Sequence, residues 1–464
     1  MCLKELTAVG LNMPLDRILL IYPPTRGING ISDSLWMLEP LGLEYVAAAC
    51  QGIPVIIQDM RLEPDIYRTI QSFRPDMIAF TALTCHVNTV KDLAVKIKIR
   101  WPHIKIIVGG QHATLSPAEL EIPQVDFIVR GDGYSVMKDL LSPVKFDHET
   151  AGLSKNEDGV FNHTVVRGYD NFDNQPFPRR ELVKRYSRNY RYGWHFDVSS
   201  IRTAVGCPFK CSFCSVDSLT AGKYLKRSVE NVISELKTIS SQIVYFTDDE
   251  SMVDYNRMMI LADMIQKEGM KKKYLMWARV DTVAKHRDLF ERWKKTGLDT
   301  LMLGYESPSA GLLEKYNKNI AVETQIQATK YLDELKIDFE PLFIIDPDFD
   351  GKDFNTLKAY VKKQRFFWPG YSILTPFPGS PLYAEYKDKI LVSNWDLFDG
   401  AHAVIKTRLP EEEFYRYYRE ILWGIPLFNR IRALIRYPLL RIPAILKAFI
   451  KSRFNNAYGG KNLS

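Results

Sequence analysis

The sequence predicts an α/β protein: a doubly wound parallel sheet, then a partial (β/α)6 barrel, then a basic helical carboxyl-terminal segment. Three observations carry this. Between residues 17 and 130, five short apolar runs alternate with helical stretches, the pattern of parallel strands covered on both faces. Between residues 199 and 375, six more such runs alternate with helical segments, and several end in charged residues or Pro-Gly turns. From Ile421 to Ser464 there are eight basic residues and no acidic one, so this tail accounts for the net charge of +7 and the body is near neutral. A chain of 464 residues is too long for one ordinary core. The expected divisions are 14–141 for the first domain, 142–197 for a linker, 198–386 for the barrel and 387–464 for the carboxyl-terminal segment.

In the first domain the expected strands are Arg17–Tyr22, Val55–Asp59, Met77–Thr81, Lys105–Gly110 and Phe127–Arg130, with helices at Leu41–Ala49 and Val87–Arg100. Doubly wound sheets bind ligands at the carboxyl ends of their strands. Here those ends are the loops Asp59–Pro64, Thr81–Thr84 and Gly109–Thr114. Threonine hydroxyls there can bond amide and phosphate groups, and Gly109 and Gly110 allow a flat ring close to the backbone. The composition suits a large ligand lying on the sheet edge. The stretch from Ser142 to Asp197 is polar, with proline and aromatics, and reads as an extended crossing with a few short strands.

The barrel opens on Ser199–Val205, which runs into Gly206-Cys207-Pro208-Phe209-Lys210-Cys211-Ser212-Phe213-Cys214. Three cysteines at C-x-x-x-C-x-x-C spacing on one tight loop can hold three irons of a four-iron cluster and leave the fourth iron open to a ligand. The alternative is a structural zinc site. Zinc sites pair two cysteine hooks, and no second hook exists, since Cys2, Cys50 and Cys85 stand singly and far upstream. Later strands are Gln242–Thr247, closed by Asp248, Asp249 and Glu250; Tyr274–Arg279; Thr300–Ser307, containing Glu306; Ile337–Ile345; and Tyr371–Thr375. Polar residues at barrel strand ends face the active site. An acidic cluster after a strand is also what a helix amino-terminal cap looks like.

The cysteine loop, with an aromatic directly before its last cysteine, resembles the radical S-adenosylmethionine (SAM) superfamily. Pro23-Pro24, Pro40-Leu-Gly-Leu, Gly109-Gly-x-His and Arg130-Gly-Asp-Gly resemble the cobalamin-binding domain that precedes many radical SAM barrels. The resemblance covers about Arg17 to Lys406. It implies a [4Fe-4S] cluster on Cys207, Cys211 and Cys214. It implies SAM held by Asp248, Asp249, Glu250, Arg279, Glu306 and Ser307, and cobalamin held by Arg61, Thr81, Thr84, Gly109, Gly110 and His112. Asp59-Met60-Arg61 stands where relatives of another type carry D-x-H, with its cobalt-ligating histidine. A guanidinium has no free lone pair, so no ligand to the lower face of the cobalt is expected from this loop. His86 and His112 are expected to be hydrogen-bonding or structural. Asp346 stands where many relatives have glycine.

Within the superfamily, hopanoid C-3 methylases are the most similar by Ile344–Phe349, Leu374–Gly379 and Trp395–Asp399. The implied reaction is methylcobalamin-dependent methylation of an unactivated carbon on a triterpenoid, with one SAM giving a 5′-deoxyadenosyl radical and a second remethylating cobalt. A flavodoxin or ferredoxin is the implied electron donor. Two other readings stand beside it: an oxidative cyclase of the anaerobic Mg-protoporphyrin ester type, and a non-enzymatic cobalamin or iron–sulfur sensor. Trp395–His402 is aromatic enough to wall a substrate pocket, with His402 a hydrogen-bonded member. The basic tail mixes cations with short apolar patches and suits a helix on an anionic membrane surface rather than a span or a nucleic-acid contact. No secretory leader is read at the start, and the cysteine usage suits a reducing cytoplasm, with peripheral attachment to the inner membrane face.

Overall fold

The computed structural model describes residues 7–8, 13–25, 36–142 and 150–424. The basic tail expected to touch a membrane, 425–464, lies outside the described residues.

The first sheet begins with β1 (Ile18–Tyr22), an inner strand one place from the sheet edge, whose residues 18–21 are fully buried. β2 (Val55–Asp59) lies on one side of it, and β3 (Met77–Thr81), β4 (Lys105–Gly109) and β5 (Phe127–Val129) extend the other. All five run parallel, with Ile18 opposite both Val55 and Met77. Chain order therefore reverses between β1 and β3, the place where such sheets take ligands. Helices α1 (Leu41–Ala49), α2 (Ile66–Phe73), α3 (Val87–Arg100) and α4 (Gly133–Leu140) cover the sheet in two apolar layers. α2 starts where the Asp65 side chain accepts from the Arg68 amide, an ordinary capping contact.

The linker adds more to this sheet than its sequence suggests. β6 (Leu153–Glu157) pairs antiparallel with β5, and β7 (Val160–His163) with β6, making seven strands. Most of both strands is exposed or half-buried, as edge strands that must not recruit further chains are.

The second sheet is a half-barrel of six parallel strands in chain order: β8 (Val198–Ile201), β9 (Ile243–Phe246), β10 (Lys273–Arg279), β11 (Leu298–Glu306), β12 (Asp338–Ile345) and β13 (Gly370–Ile373). Alternate residues face opposite sides. One set, with Phe246, Tyr274, Met276, Leu301 and Phe343, packs under the helices. The other set, with Tyr245, Leu275, Trp277, Met302 and Leu342, lines the concave side and is met there by Leu38 and Tyr192 from outside the barrel. Tyr192 donates to Glu340 on β12 at 2.9 Å and stacks on Tyr245 at 5.2 Å. A pocket at the amino-terminal mouth, flanked by Trp36, Trp194 and Trp368, ends on this Tyr192–Glu340 contact.

Among the connections that tie the domains together, two come from the linker and the carboxyl-terminal segment. Arg180 of the linker reaches Glu235 at 2.6 Å and the Ser200 carbonyl at 2.6 Å, and lies 3.6 Å from Glu39 of the first domain. Farther on, Trp395 crosses back to the first domain. It donates to Glu119 at 2.9 Å and meets His112 edge-on at 5.0 Å. Trp395, expected in the wall of a substrate pocket, thus has its ring at the first domain's ligand edge. His402 is tied to the Asp399 carboxylate at 2.9 Å, which also takes the backbone amides of Ala401 and His402.

Candidate active site

The cysteine loop leaves β8 and turns at Gly206, whose φ is +88°; a Cβ there would lie 1.9 Å from the Lys223 carbonyl oxygen, so only glycine fits. Two carboxylates from the end of β9 hold the loop. Asp248 is fully buried and accepts from the Thr203 amide at 2.6 Å, the Thr203 hydroxyl and the Ala204 amide at 2.9 Å. Asp249 accepts from the Gly206 amide at 2.8 Å. Both were expected to receive the amino group of SAM; in the structure their visible bonds go to the loop that carries the cysteines. Glu250 differs. Its Oε1 accepts from the Arg279 amide at 3.0 Å, while Oε2 is buried without a partner. Burial raises its carboxyl to about 7.

Arg279 ends β10. Its guanidinium bonds Asp281 at 2.9 and 3.1 Å and the Lys318 carbonyl at 2.8 Å, and points Nη1 at Cys211 Sγ, 3.8 Å away. It also stacks 3.8 Å above the Phe209 ring. Glu306 ends β11 in a left-handed conformation, φ +59°, and pairs with Lys318 at 2.6 Å with both side chains buried. Ser307 is buried, and its hydroxyl accepts from the Ser309 amide at 3.1 Å. Asp346 is taken by Tyr316 at 2.8 Å and Lys315 at 2.9 Å, and the Tyr316 ring meets Phe213 of the cysteine loop edge-on at 5.8 Å.

Lys318 escaped the sequence reading. It stands between Asn317 and Asn319, both at positive φ, and paired asparagines of this kind mark a tight turn that can place a side chain back over a strand end. The signal was present but had no partner in sequence, because Glu306 lies twelve residues upstream.

The residues fit an iron–sulfur cluster. Cys207, Cys211 and Cys214 are free thiols on one loop. Burial pushes Cys207 up to about 12 and Cys214 to about 11, so iron has to displace their protons. Among the described residues no three His, Cys, Asp or Glu side chains converge as ligands of a single ion do.

The ligand edge of the first domain lies alongside. The helical turn Gln111–Leu115, carrying His112, packs against Val216–Thr220, the turn that follows Cys214. His112 is fully buried; its Nδ1 lies 3.3 Å from the Thr84 hydroxyl, and its Nε2 has no partner. Burial holds the ring neutral, with its pKa down at about 4. A Cβ on Gly110 would lie 2.8 Å from Ala82 backbone atoms and 3.0 Å from the Thr81 hydroxyl, while Gly109 sits against Val129. Arg61 is locked inward: it bonds Asp59 at 2.9 and 2.6 Å and the Leu38 carbonyl at 2.7 Å, and covers the Tyr22 ring at 4.0 Å. It offers no ligand to a metal. The edge has an orphaned imidazole nitrogen and closely apposed backbone loops, which fit a large planar cofactor approached without a ligand from residue 61.

A half-barrel with three cysteines at its carboxyl mouth, set beside a Rossmann-like domain that turns its own ligand edge toward it, defines a class: radical SAM enzymes that also bind cobalamin. Comparison with known proteins agrees. Residues 37–141 match the B12 binding domain family and residues 201–356 the Radical SAM superfamily. The chain is 30% identical over 393 residues to the hopanoid C-3 methylase of Methylococcus capsulatus, covering 82% of this chain and 74% of that one. It is 25% identical to an anaerobic magnesium-protoporphyrin IX monomethyl ester cyclase of Cereibacter sphaeroides, over 73% of this chain and 58% of that one. The cobalamin-dependent SAM radical enzyme OxsB, solved with aqua-cobalamin and SAM, shares the fold: TM-score 0.70 at 17% identity, over 96% of this chain and 72% of that one. The chain belongs to the cobalamin-dependent radical SAM methyltransferase family, an enzyme family that uses a [4Fe-4S] cluster, SAM and cobalamin.

Proposed function

We propose that this enzyme methylates an unactivated ring carbon of a hydrophobic polycycle, a hopanoid at ring position 3. The observation that carries the reading is the 30% identity to a hopanoid C-3 methylase across both domains. When bound, the cluster with SAM supplies a carbon-centred radical, and cobalamin supplies the methyl group.

The roles we assign to this chain's residues draw support from their contacts. Cys207, Cys211 and Cys214 hold the cluster, and Asp248 and Asp249 fix the loop that bears them. Glu250, through its free Oε2, accepts from the amino group of SAM. Glu306 takes a ribose hydroxyl, with Ser307 shaping the turn beside it, and Lys318 faces the SAM carboxylate. Thr81, Thr84, Gly109, Gly110 and His112 cradle cobalamin, and Arg61 fills the space beneath it without ligating. A flavodoxin or ferredoxin delivers the electron. The basic composition of 425–464 supports contact with an anionic membrane surface, where a lipid substrate would be met.

The second reading is an oxidative cyclase, favoured by the 25% identity to such enzymes. The test is anaerobic: reconstituted protein, cobalamin, SAM, a low-potential reductant and a hopanoid extract. 5′-Deoxyadenosine and S-adenosylhomocysteine together, with a triterpenoid gaining one CH2 unit, support the methylase. Deoxyadenosine alone selects the cyclase. Neither product from a protein with an intact cluster rejects hopanoids as substrate.

A further inference from the structure

Arg279 was expected among the residues that hold SAM. In the structure each nitrogen of its guanidinium is already committed. Nε and Nη2 hold Asp281, Nη2 also holds the Lys318 carbonyl, and Nη1 faces Cys211 Sγ at 3.8 Å. One flat face is covered by Phe209, a residue of the cysteine loop itself, at 3.8 Å. The side chain is 7% exposed. The ion pair is oriented: the cation lies against the sulfur and the Asp281 carboxylate lies on the far side, partly in solvent at 34% exposure.

We propose that Arg279 is a positioning residue for the electron, not for SAM: it holds a permanent positive charge against the Cys211 thiolate and thereby raises the reduction potential of the cluster. A cluster on three thiolates is anionic, and the incoming electron adds one more negative charge. Hydrogen bonds to ligand sulfurs and net charge around the cluster set how costly that is. A guanidinium does not deprotonate, so the charge is present at every working pH. Asp281 opposes it incompletely, because it is farther from the sulfur and screened by water. The SAM carboxylate is then left to Lys318, a buried cation at this mouth.

The inference rests on the cluster site and not on the hopanoid reading, so its test uses no substrate. The reconstituted full chain is titrated potentiometrically, with the reduced cluster followed by electron paramagnetic resonance, and SAM affinity is measured by equilibrium dialysis of labelled SAM. Arg279→Met is expected to move the midpoint to a more negative potential, and Asp281→Asn to a more positive one, with Arg279→Lys between wild type and Arg279→Met. SAM affinity in Arg279→Met is expected to stay within about threefold of wild type, under 1 kcal/mol. If Arg279→Met fails to hold a cluster, the positive shift in Asp281→Asn still decides. Midpoints that do not move, or that move the same way in both charge variants, overturn the proposal. So does a loss of SAM affinity of about tenfold or more with an unmoved midpoint.

Discussion

A Cβ on Gly304 would lie 2.3 Å from Oε1 of Glu306 and 2.7 Å from Nζ of Lys318. The empty position at 304 is what lets the carboxylate and the ammonium close to 2.6 Å at the end of β11. The register between β11 and β12 shifts at this point, which turns Glu306 toward the mouth. Gly304→Ala should separate the pair. The expected results are an overpacking cost of about 1–3 kcal/mol and a loss of SAM affinity of about tenfold, with iron content unchanged. Thermal unfolding of the apoprotein and dialysis of labelled SAM check this.

Cys211→Ala should lose the visible absorption of the cluster and all turnover together. Cys50→Ala, at a buried cysteine in the first domain, should retain both. Turnover surviving in the Cys211 variant would remove the cluster from the reaction.

Arg180 is the cation between Glu39, Glu235 and, through Coulombic coupling, Glu44, and these residues come from both domains. Arg180→Met leaves that group of carboxyls without its shared partner. A buried pair broken on one side costs about 3–5 kcal/mol, and urea denaturation should show a loss of that order. A change below about 1 kcal/mol would mean that Arg227, which also bonds Glu235, carries the group alone.

Glu340 gives a pH signature. Burial raises its carboxyl from 4.5 to about 7, against the smaller lowering effect of the Tyr192 hydrogen bond. A carboxyl with its folded pKa raised favours the fold while it keeps its proton. The contribution is complete below about 4.5 and is lost as pH climbs through about 7. The shift corresponds to about 3 kcal/mol. Glu340→Gln should therefore flatten the fall in apoprotein stability between pH 5 and pH 8. Glu39 and Glu250, also raised to about 7, and Glu44, raised in the same direction, remain to give a residual slope.

Trp395→Ala should weaken cobalamin binding without touching the cluster, since its ring meets His112 and its indole nitrogen meets Glu119. Loss of one aromatic contact is worth about 1 kcal/mol, or roughly fivefold in affinity. Cobalamin absorbance against iron content in the same preparation measures it.

The parallel strands were legible because both faces are covered: β1 and β3 are apolar at nearly every position and cannot be read otherwise. β6 and β7 were legible only as short strands of the crossing and not as members of this sheet, because Lys155, Asn156, Glu157, Asn162 and His163 are the residues of a guarded edge and carry no apolar pattern that names a partner. At the site, the cysteine spacing is local and survives in one dimension. The roles of Asp248, Asp249 and Arg279 are not local. Charge and position mark them as mouth residues, but only the fold shows that Asp248 turns back to Thr203, or that Phe209 and Asp281 hold the guanidinium of Arg279. A sequence shows which donors exist; it does not show which are already engaged.

Leu38 and Tyr192 have a consequence for traffic. They occupy the concave side of the half-barrel, and the Tyr192–Glu340 contact closes the floor of the pocket at the amino-terminal mouth. Among the described residues this contact stands between the amino-terminal mouth and the cysteine end, so the barrel has a plugged end and a working end, and the working end is the one the first domain faces.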